Sequence, residues 1–407
     1  MRVWVATAVI VGAAATYQAT VGAQTGSGAV VLPASPTPVA AVTTIVSRLD
    51  LERYKATVKG LTQFGDRRQG TERNRKAVDW IEAQLRSYGC PTERVRYTYT
   101  TPAPSGGNGA RPAPPAIPRA VGGGRPRGMQ TRTGVNTDAQ KQPDAALRAL
   151  NAEPATDGPR EEVFCTKVGS VHPEEMYIVS AHMDGHGWGE AANDDGSGTA
   201  LVMELARIFS APDVRTDRTI RFALWNNEET GLNGAAAYVA QRRDLQGKES
   251  PAGSGRYPEP RWLGMIQHDM MMFDHGMPRP DGTMSPEQRP EADVNIEFQM
   301  TAKQMGSAQA LAWYLHAANE KYATDYPAQV GPHMTNTDST PFMDDVAAIS
   351  VRENERGVHV GSGWDPQWHQ PTDLFSTYTD KDFRLGLNAA QTTAGAVGEL
   401  VGASLTR

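Results

Sequence analysis

The residues of this chain best suited to chemistry fall in four short clusters: His182-Met183-Asp184, Asn193-Asp194-Asp195-Gly196-Ser197-Gly198, Glu228-Glu229 and His268-Asp269. Three of them follow an apolar run of strand length, and the second opens a long apolar stretch. Carboxylates gathered at one place repel one another unless something positive sits among them. A divalent metal meets that need. Histidine mixed with Asp and Glu suits zinc better than magnesium or calcium, which favour oxygen shells. The only cysteines, Cys90 and Cys165, rule out a thiolate site by number and position.

Each cluster also has a plainer reading. His182-x-Asp184 could be a polar surface turn. It could equally be a ligand with a carboxylate that receives the second ring N–H and fixes the tautomer. The Asp194-Asp195 turn could simply cap a helix, or its small residues could let an Asp approach a metal closely. Composition does not separate Asp194 from Asp195. Glu228-Glu229 could be a solvated loop, or one acid could bind metal while its neighbour serves as general base. The combination weighs toward function, because three successive strand ends carry compatible chemistry in order.

The elements that must position these clusters alternate. Strands are expected at Val95–Thr101, Met176–Ala181, Ile220–Trp225, Leu263–Gln267 and Ala347–Val351. Helices are expected from about Ser47, from Thr71, where Ala77, Ile81 and Leu85 recur every four residues, and at Gly198–Phe209, Gly231–Arg243, 302–322 and 384–402. Such alternation predicts an α/β fold with a mainly parallel, mixed central sheet and helices on both faces. Sites in these sheets form at the carboxyl ends of the strands, where the clusters fall.

The 407 residues allow one large domain or two ordinary ones. With 39% hydrophobic and 21% charged residues, the chain has the composition of a soluble globular protein. A net charge of −6 without a basic run argues against nucleic acid as a partner. Residues 1–23 read as a secretory signal with cleavage after Ala23, and 24–45 as a flexible lead-in. No later segment is apolar enough to span a membrane, so a secreted or periplasmic protein is expected. In that compartment Cys90 and Cys165 could form one disulfide. Residues 102–158, rich in Pro, Gly, Arg and Ala, read as an insertion or long surface loop in a domain spanning 46–407.

Several stretches together resemble one family. VSAHMDGHGWGEAANDDGSGTALVMELARIF, RFALWNNEETGLNGAAAYV, GMIQHDMMMFD, TDSTPFMDD, WDPQWHQPTDLFSTY and the early LTQFGDRRQGTERNRKAVDWIEAQLRSYG are similar to the secreted di-zinc aminopeptidases. Their superfamily also holds glutamate carboxypeptidases and glutaminyl cyclases. The resemblance covers most of residues 50–400 outside the insertion, and it implies a zinc-exopeptidase-like three-layer sandwich.

It implies roles as well. His182 matches the first zinc ligand, with Asp184 behind it, and Asp194 matches the carboxylate bridging two metals. Glu228 matches the general base and Glu229 a ligand of the second zinc. Asp269 and His369 match the remaining ligands of the first and second zinc. Two Zn2+ per chain and a peptide substrate follow from this set, with Glu228 taking a proton from a water shared between the metals. Many relatives carry Tyr just before the last His, where its hydroxyl helps hold the oxyanion; here that position is Trp368. Trp368 and Tyr378 are therefore the oxyanion candidates, and Asp338 is a candidate pocket residue. His186, His268 and His275 lie near the matching stretches without being needed as ligands. His172, His316, His333 and His359 are expected at the surface or in packing, and Met270–Met272 in packing. The readings that compete with an aminopeptidase are a carboxypeptidase or dipeptidase on the same scaffold, a single-zinc glutaminyl cyclase, and a non-catalytic binding domain.

Overall fold

A computed structural model describes residues 37–102, 135–273, 294–332, 337–353 and 365–406. The expected signal, most of the lead-in, residues 103–134 of the insertion, and His275, His333 and His359 lie outside the described residues.

The helices are α1 (Ala40–Val46), α2 (Leu51–Thr62), α3 (Glu72–Ser87), α4 (Ala145–Asn151), α5 (Gly196–Phe209), α6 (Asn233–Arg242), α7 (Met305–Tyr322) and α8 (Asp380–Leu400). The strands are β1 (Thr92–Tyr99), β2 (Gly158–Lys167), β3 (His172–His182), β4 (Val214–Arg215), β5 (Arg218–Trp225), β6 (Arg261–His268), β7 (Val294–Phe298), β8 (Ala328–Gly331), β9 (Ala348–Arg352) and β10 (Ser404–Leu405). Eight strands form one sheet in the order β1-β2-β5-β3-β6-β9-β7-β8. The central four, β5, β3, β6 and β9, are mutually parallel. Antiparallel β2 lies on one side of them and antiparallel β7 on the other.

Side-chain alternation sorts the sheet into two covered faces. On β3, Tyr177, Val179 and Ala181 join the larger core, which α1, α2, α3, α5, α7 and α8 complete. Met176 and Ile178 point the other way, into a smaller core with Ala235, Tyr238 and Val239 of α6 and with Phe342. The parallel strands therefore have helices on both faces, and their apolar runs are continuous because neither face meets water. Their carboxyl ends open at one edge, in the order Trp225, His182, His268, Arg352 across the sheet.

Two boundaries differ from the sequence reading. The stretch taken as a lead-in to residue 45 contains α1, whose Val42, Ile45 and Val46 are buried. It packs on α8, where an added Cβ at Gly398 would meet Val42 at 3.0 Å. Its lack of charge reflects burial against a neighbouring helix. The stretch read as a loop to residue 158 holds α4, and the Asn151 side chain at the end of α4 donates to the Gly189 carbonyl at 2.7 Å. Cys90 and Cys165 are joined by a disulfide across the β1–β2 edge.

Candidate active site

β3 ends on His182, which is buried. Its Nδ1 lies 3.0 Å from the backbone carbonyl of Asp184. A carbonyl can only accept, so Nδ1 carries the proton and Nε2 presents its lone pair. That Nε2 sits 3.4 Å from Asp194 Oδ1 and 3.9 Å from Asp269 Oδ1. The Asp184 carboxylate was expected to receive this ring N–H, but it stands 3.9 Å away. It accepts instead from the backbone N–H groups of Glu228, at 3.0 Å, and Glu229, at 3.4 Å. The turn after β3 brings the Asp184 carbonyl under the ring and leaves the carboxylate free to reach the loop after β5.

The two adjacent aspartates separate by function of geometry. Asp195 caps α5 by accepting from the Gly198 N–H at 2.9 Å, and it also accepts from the His182 and Met270 N–H groups at 3.1 and 3.2 Å. Asp194 faces the other way. Its Oδ1 lies toward His182, and its Oδ2 is 2.9 Å from His369 Nε2. His369 Nε2 is also 2.9 Å from Glu229 Oε2. Burial pushes the Asp194 and Glu229 carboxyls up, but the neighbouring imidazoles outweigh it and hold both below the usual carboxylate range. Glu228 belongs to a further group: one ligating atom from each of Glu228, His182 and Asp269 lies within 4.8 Å of the others.

Asp269, just past β6, is tied from β9 and the loop before it. Its Oδ2 accepts from the Thr337 hydroxyl at 2.7 Å and lies 2.9 Å from Arg352 Nη2. Arg352 is a buried guanidinium on the last residue of β9 that also reaches Glu297 at 3.5 Å. A charged residue closing an otherwise apolar strand was the signal for it, and it went unread. Asp373 was missed as well. Its two oxygens accept from the N–H groups of Asn193, at 2.8 Å, and Asp194, at 3.2 Å, and so set the turn that aims Asp194.

Of the oxyanion candidates, Tyr378 is corrected. Its hydroxyl donates to Asp365, at 2.8 Å, and lies 3.1 Å from Asp373, so it braces the turn behind Asp194. Trp368 lies flat on His369, with ring centroids 3.9 Å apart, and is partly buried. Asp338 is fully buried, and neither of its carboxylate oxygens has a hydrogen-bond partner among the described residues. His186, set aside in the sequence reading, lies in the cluster: its Nε2 is 3.0 Å from Glu229 Oε2. His268 is a packing residue, bonded to the Ser180 carbonyl at 3.0 Å and the Thr393 hydroxyl at 2.8 Å. Met270, Met271 and Met272 are buried. A cavity of about 240 Å3 adjoins the site, lined in part by Asp66, Arg68, Asn136, Thr137, His186 and Trp188.

The donors fit a metal. Imidazole nitrogens and carboxylate oxygens converge in three overlapping groups within 4.8 Å. Meanwhile burial, with other carboxylates nearby, pushes the Asp195, Glu228 and Asp338 carboxyls well above their usual range. Crowded acids of this kind are what a divalent cation relieves, and the mixed nitrogen and oxygen set is zinc-like.

An α/β sheet that gathers such a centre at the carboxyl ends of its parallel strands defines a zinc metallopeptidase of the zinc-exopeptidase fold. The chain belongs to peptidase family M28, whose family model matches residues 163–391. Carboxypeptidase Q of Xenopus laevis is 41% identical over 71 residues, 17% of this chain and 15% of that protein. Aminopeptidase YwaD of Bacillus subtilis is 39% identical over 79 residues, 19% of this chain and 17% of that protein. The matches thus span less than a fifth of the length of these relatives. Among solved structures, an aminopeptidase from Aneurinibacillus sp. strain AM-1 aligns with a TM-score of 0.57 at 19% identity, covering 90% of this chain and 97% of the other. A Porphyromonas gingivalis glutaminyl cyclase aligns with a TM-score of 0.53 at 17% identity, covering 87% of this chain and 99% of the other. At these identities the structural likeness establishes the fold.

Proposed function

We propose that this chain is an exported two-zinc aminopeptidase that removes N-terminal residues from peptides. The observation that carries this reading is the Asp194 carboxylate, with one oxygen 3.4 Å from His182 and the other 2.9 Å from His369. A carboxylate shared between two imidazoles in this way is suited to bridge two cations. His182, Asp194 and Asp269 would hold one, and Asp194, Glu229 and His369 the other. Zinc bound there supplies Lewis-acid polarisation of a carbonyl and lowers the pKa of water.

The chain's own groups do the rest. Glu228 stands beside the His182 and Asp269 pair, and burial pushes its carboxyl well above the usual range, as suits a group that must take up a proton. It takes a proton from the attacking water and delivers it to the leaving amine. Asp184 holds the backbone of Glu228 and Glu229 together, so base and ligand keep one spacing. Trp368, stacked on His369, is the remaining candidate to steady the carbonyl oxygen through its indole N–H. Asp338 supports the choice of an aminopeptidase. A buried carboxyl without a hydrogen-bond partner among the described residues is the complement of a substrate ammonium group. The Cys90–Cys165 disulfide supports export, since such bonds persist in oxidising compartments.

A panel of aminoacyl chromogenic amides tests the reading, with free and acetylated amines and with and without chelator. Chelator-sensitive release from the free amines alone is the expected result. Cleavage of acetylated substrates at equal rates overturns the aminopeptidase assignment, and indifference to chelator overturns the metal.

A further inference from the structure

The loop between β3 and α5 puts an unassigned histidine against the cluster. Gly187 has φ of 107° and packs directly on the backbone of His369, where an added Cβ would lie 2.4 Å from the carbonyl carbon. Only glycine tolerates both the conformation and the approach. This contact brings the His186 ring edge-on to the His369 ring, with centroids 4.1 Å apart and planes at 88°. His186 Nε2 ends 3.0 Å from Glu229 Oε2, the same oxygen that His369 Nε2 approaches to 2.9 Å. The three atoms lie within 4.8 Å of one another.

His186 Nε2 is itself buried and has no hydrogen-bond partner among the described residues, although Glu229 Oε2 is so near. The close approach therefore lacks the direction of an N–H···O bond. Two imidazole nitrogens crowd one carboxylate oxygen here, an arrangement like that of ligands around a common ion. Tetrahedral ligands about 2.0–2.1 Å from zinc stand about 3.3 Å apart, close to the separations here.

We propose that His186 is a further protein ligand of the metal held by Asp194, Glu229 and His369. This rests on the two-zinc reading above. With His186, that position has four protein donors and is closed in the manner of a structural zinc site, whereas the His182, Asp194 and Asp269 position has three and stays open. The two ions then differ in kind: the one with four protein donors is retained tightly, and the one with three exchanges and is lost first to a chelator.

The test is metal binding to the metal-free full-length protein. Zinc is titrated against a chromogenic competitor, and cobalt substitution is followed by visible absorption. Wild type is expected to bind two ions in two affinity classes. His186→Ala should weaken the tight class tenfold or more and change the cobalt spectrum, while His186→Glu, which offers a carboxylate oxygen at a similar reach, should recover tight binding. Unchanged zinc affinities in His186→Ala overturn the proposal. So does weakened binding with an unaltered cobalt spectrum, because His186 would then act only through Glu229. If His186→Ala does not fold, the cobalt spectrum of His186→Glu decides alone: visible bands shifted from those of wild type, as an oxygen donor replaces a ring nitrogen, are expected, and a wild-type spectrum overturns the proposal. A wild type that binds a single ion sinks the two-zinc reading itself, a result distinct from two ions unaffected at His186.

Discussion

The Asp184 carboxylate accepts the backbone N–H of Glu228 at 3.0 Å, so the end of β3 grips the loop that follows β5. Its other oxygen reaches the N–H of Glu229. Replacing Asp184 with Asn turns one acceptor into a donor that faces an N–H. The change should cut kcat/KM and zinc affinity about 10- to 100-fold, the usual cost of losing an outer support of a metal site. Steady-state kinetics and zinc content after dialysis measure this, and an unaffected enzyme would show that the grip is incidental.

Glu228→Gln keeps the shape of the side chain and removes its capacity to take a proton. Turnover should fall by about 10²–10⁴ with zinc content unchanged. Loss of zinc together with activity would make Glu228 a ligand and would leave the base unidentified.

Asp338→Asn addresses recognition of the substrate amine. KM for free-amine substrates should rise about tenfold or more, the penalty for losing a charge-assisted contact. Zinc content should hold, and a change in kcat alone would remove Asp338 from substrate binding.

The Cys90–Cys165 bond closes a loop with a sequence separation of 75. Replacing both cysteines with serine should lower stability by about 4 kcal/mol on loop-entropy grounds. Denaturant melts of the double variant measure it, and equal midpoints would mean that the β1–β2 edge holds without the bond.

The outer sheet edge carries a pH-dependent contribution. Burial pushes the Glu82 carboxyl up, but hydrogen bonds from Arg94 and Thr92, at 2.5–2.9 Å, outweigh it and hold the carboxyl below its usual range. A depressed folded-state pKa stabilises above the unfolded value, and that stability is lost as pH falls through the folded one. Glu82→Gln should therefore cost up to about 1 kcal/mol at neutral pH. The difference should vanish in acid. Thermal melts across pH 2–7 give the comparison, and a constant difference would assign the effect to packing.

The central strands were legible because β3, β5, β6 and β9 are apolar on both faces and end abruptly in polar residues. The strands β2 and β7 were not, because charged and polar residues such as Glu161, Glu162, Asn295 and Glu297 break up their apolar runs. The helix α1 was hidden because a short apolar segment looks like a linker until α8 is in place. At the site, residue types marked the clusters that hold His182, Asp194, Glu229 and Asp269, while the family resemblance was needed to choose Asp194 over Asp195 and to add His369. What lay beyond reach was the reach of side chains through turns. Asp184 serves the β5 loop rather than the His182 ring, Tyr378 is used by Asp365 and Asp373, and His186 arrives through the contact of Gly187 with His369. Each depends on backbone directions in a loop, which spacing along the chain does not encode.

The most direct test of the central claim is product analysis with the zinc-loaded protein on a pair of pentapeptides, one with a free amine and one acetylated, both amidated at the C-terminus. Mass spectrometry over time should show stepwise loss of N-terminal residues from the first and none from the second. Loss of residues from the C-terminal end, or an intact free-amine peptide, would contradict an aminopeptidase built on Asp194 and Glu228.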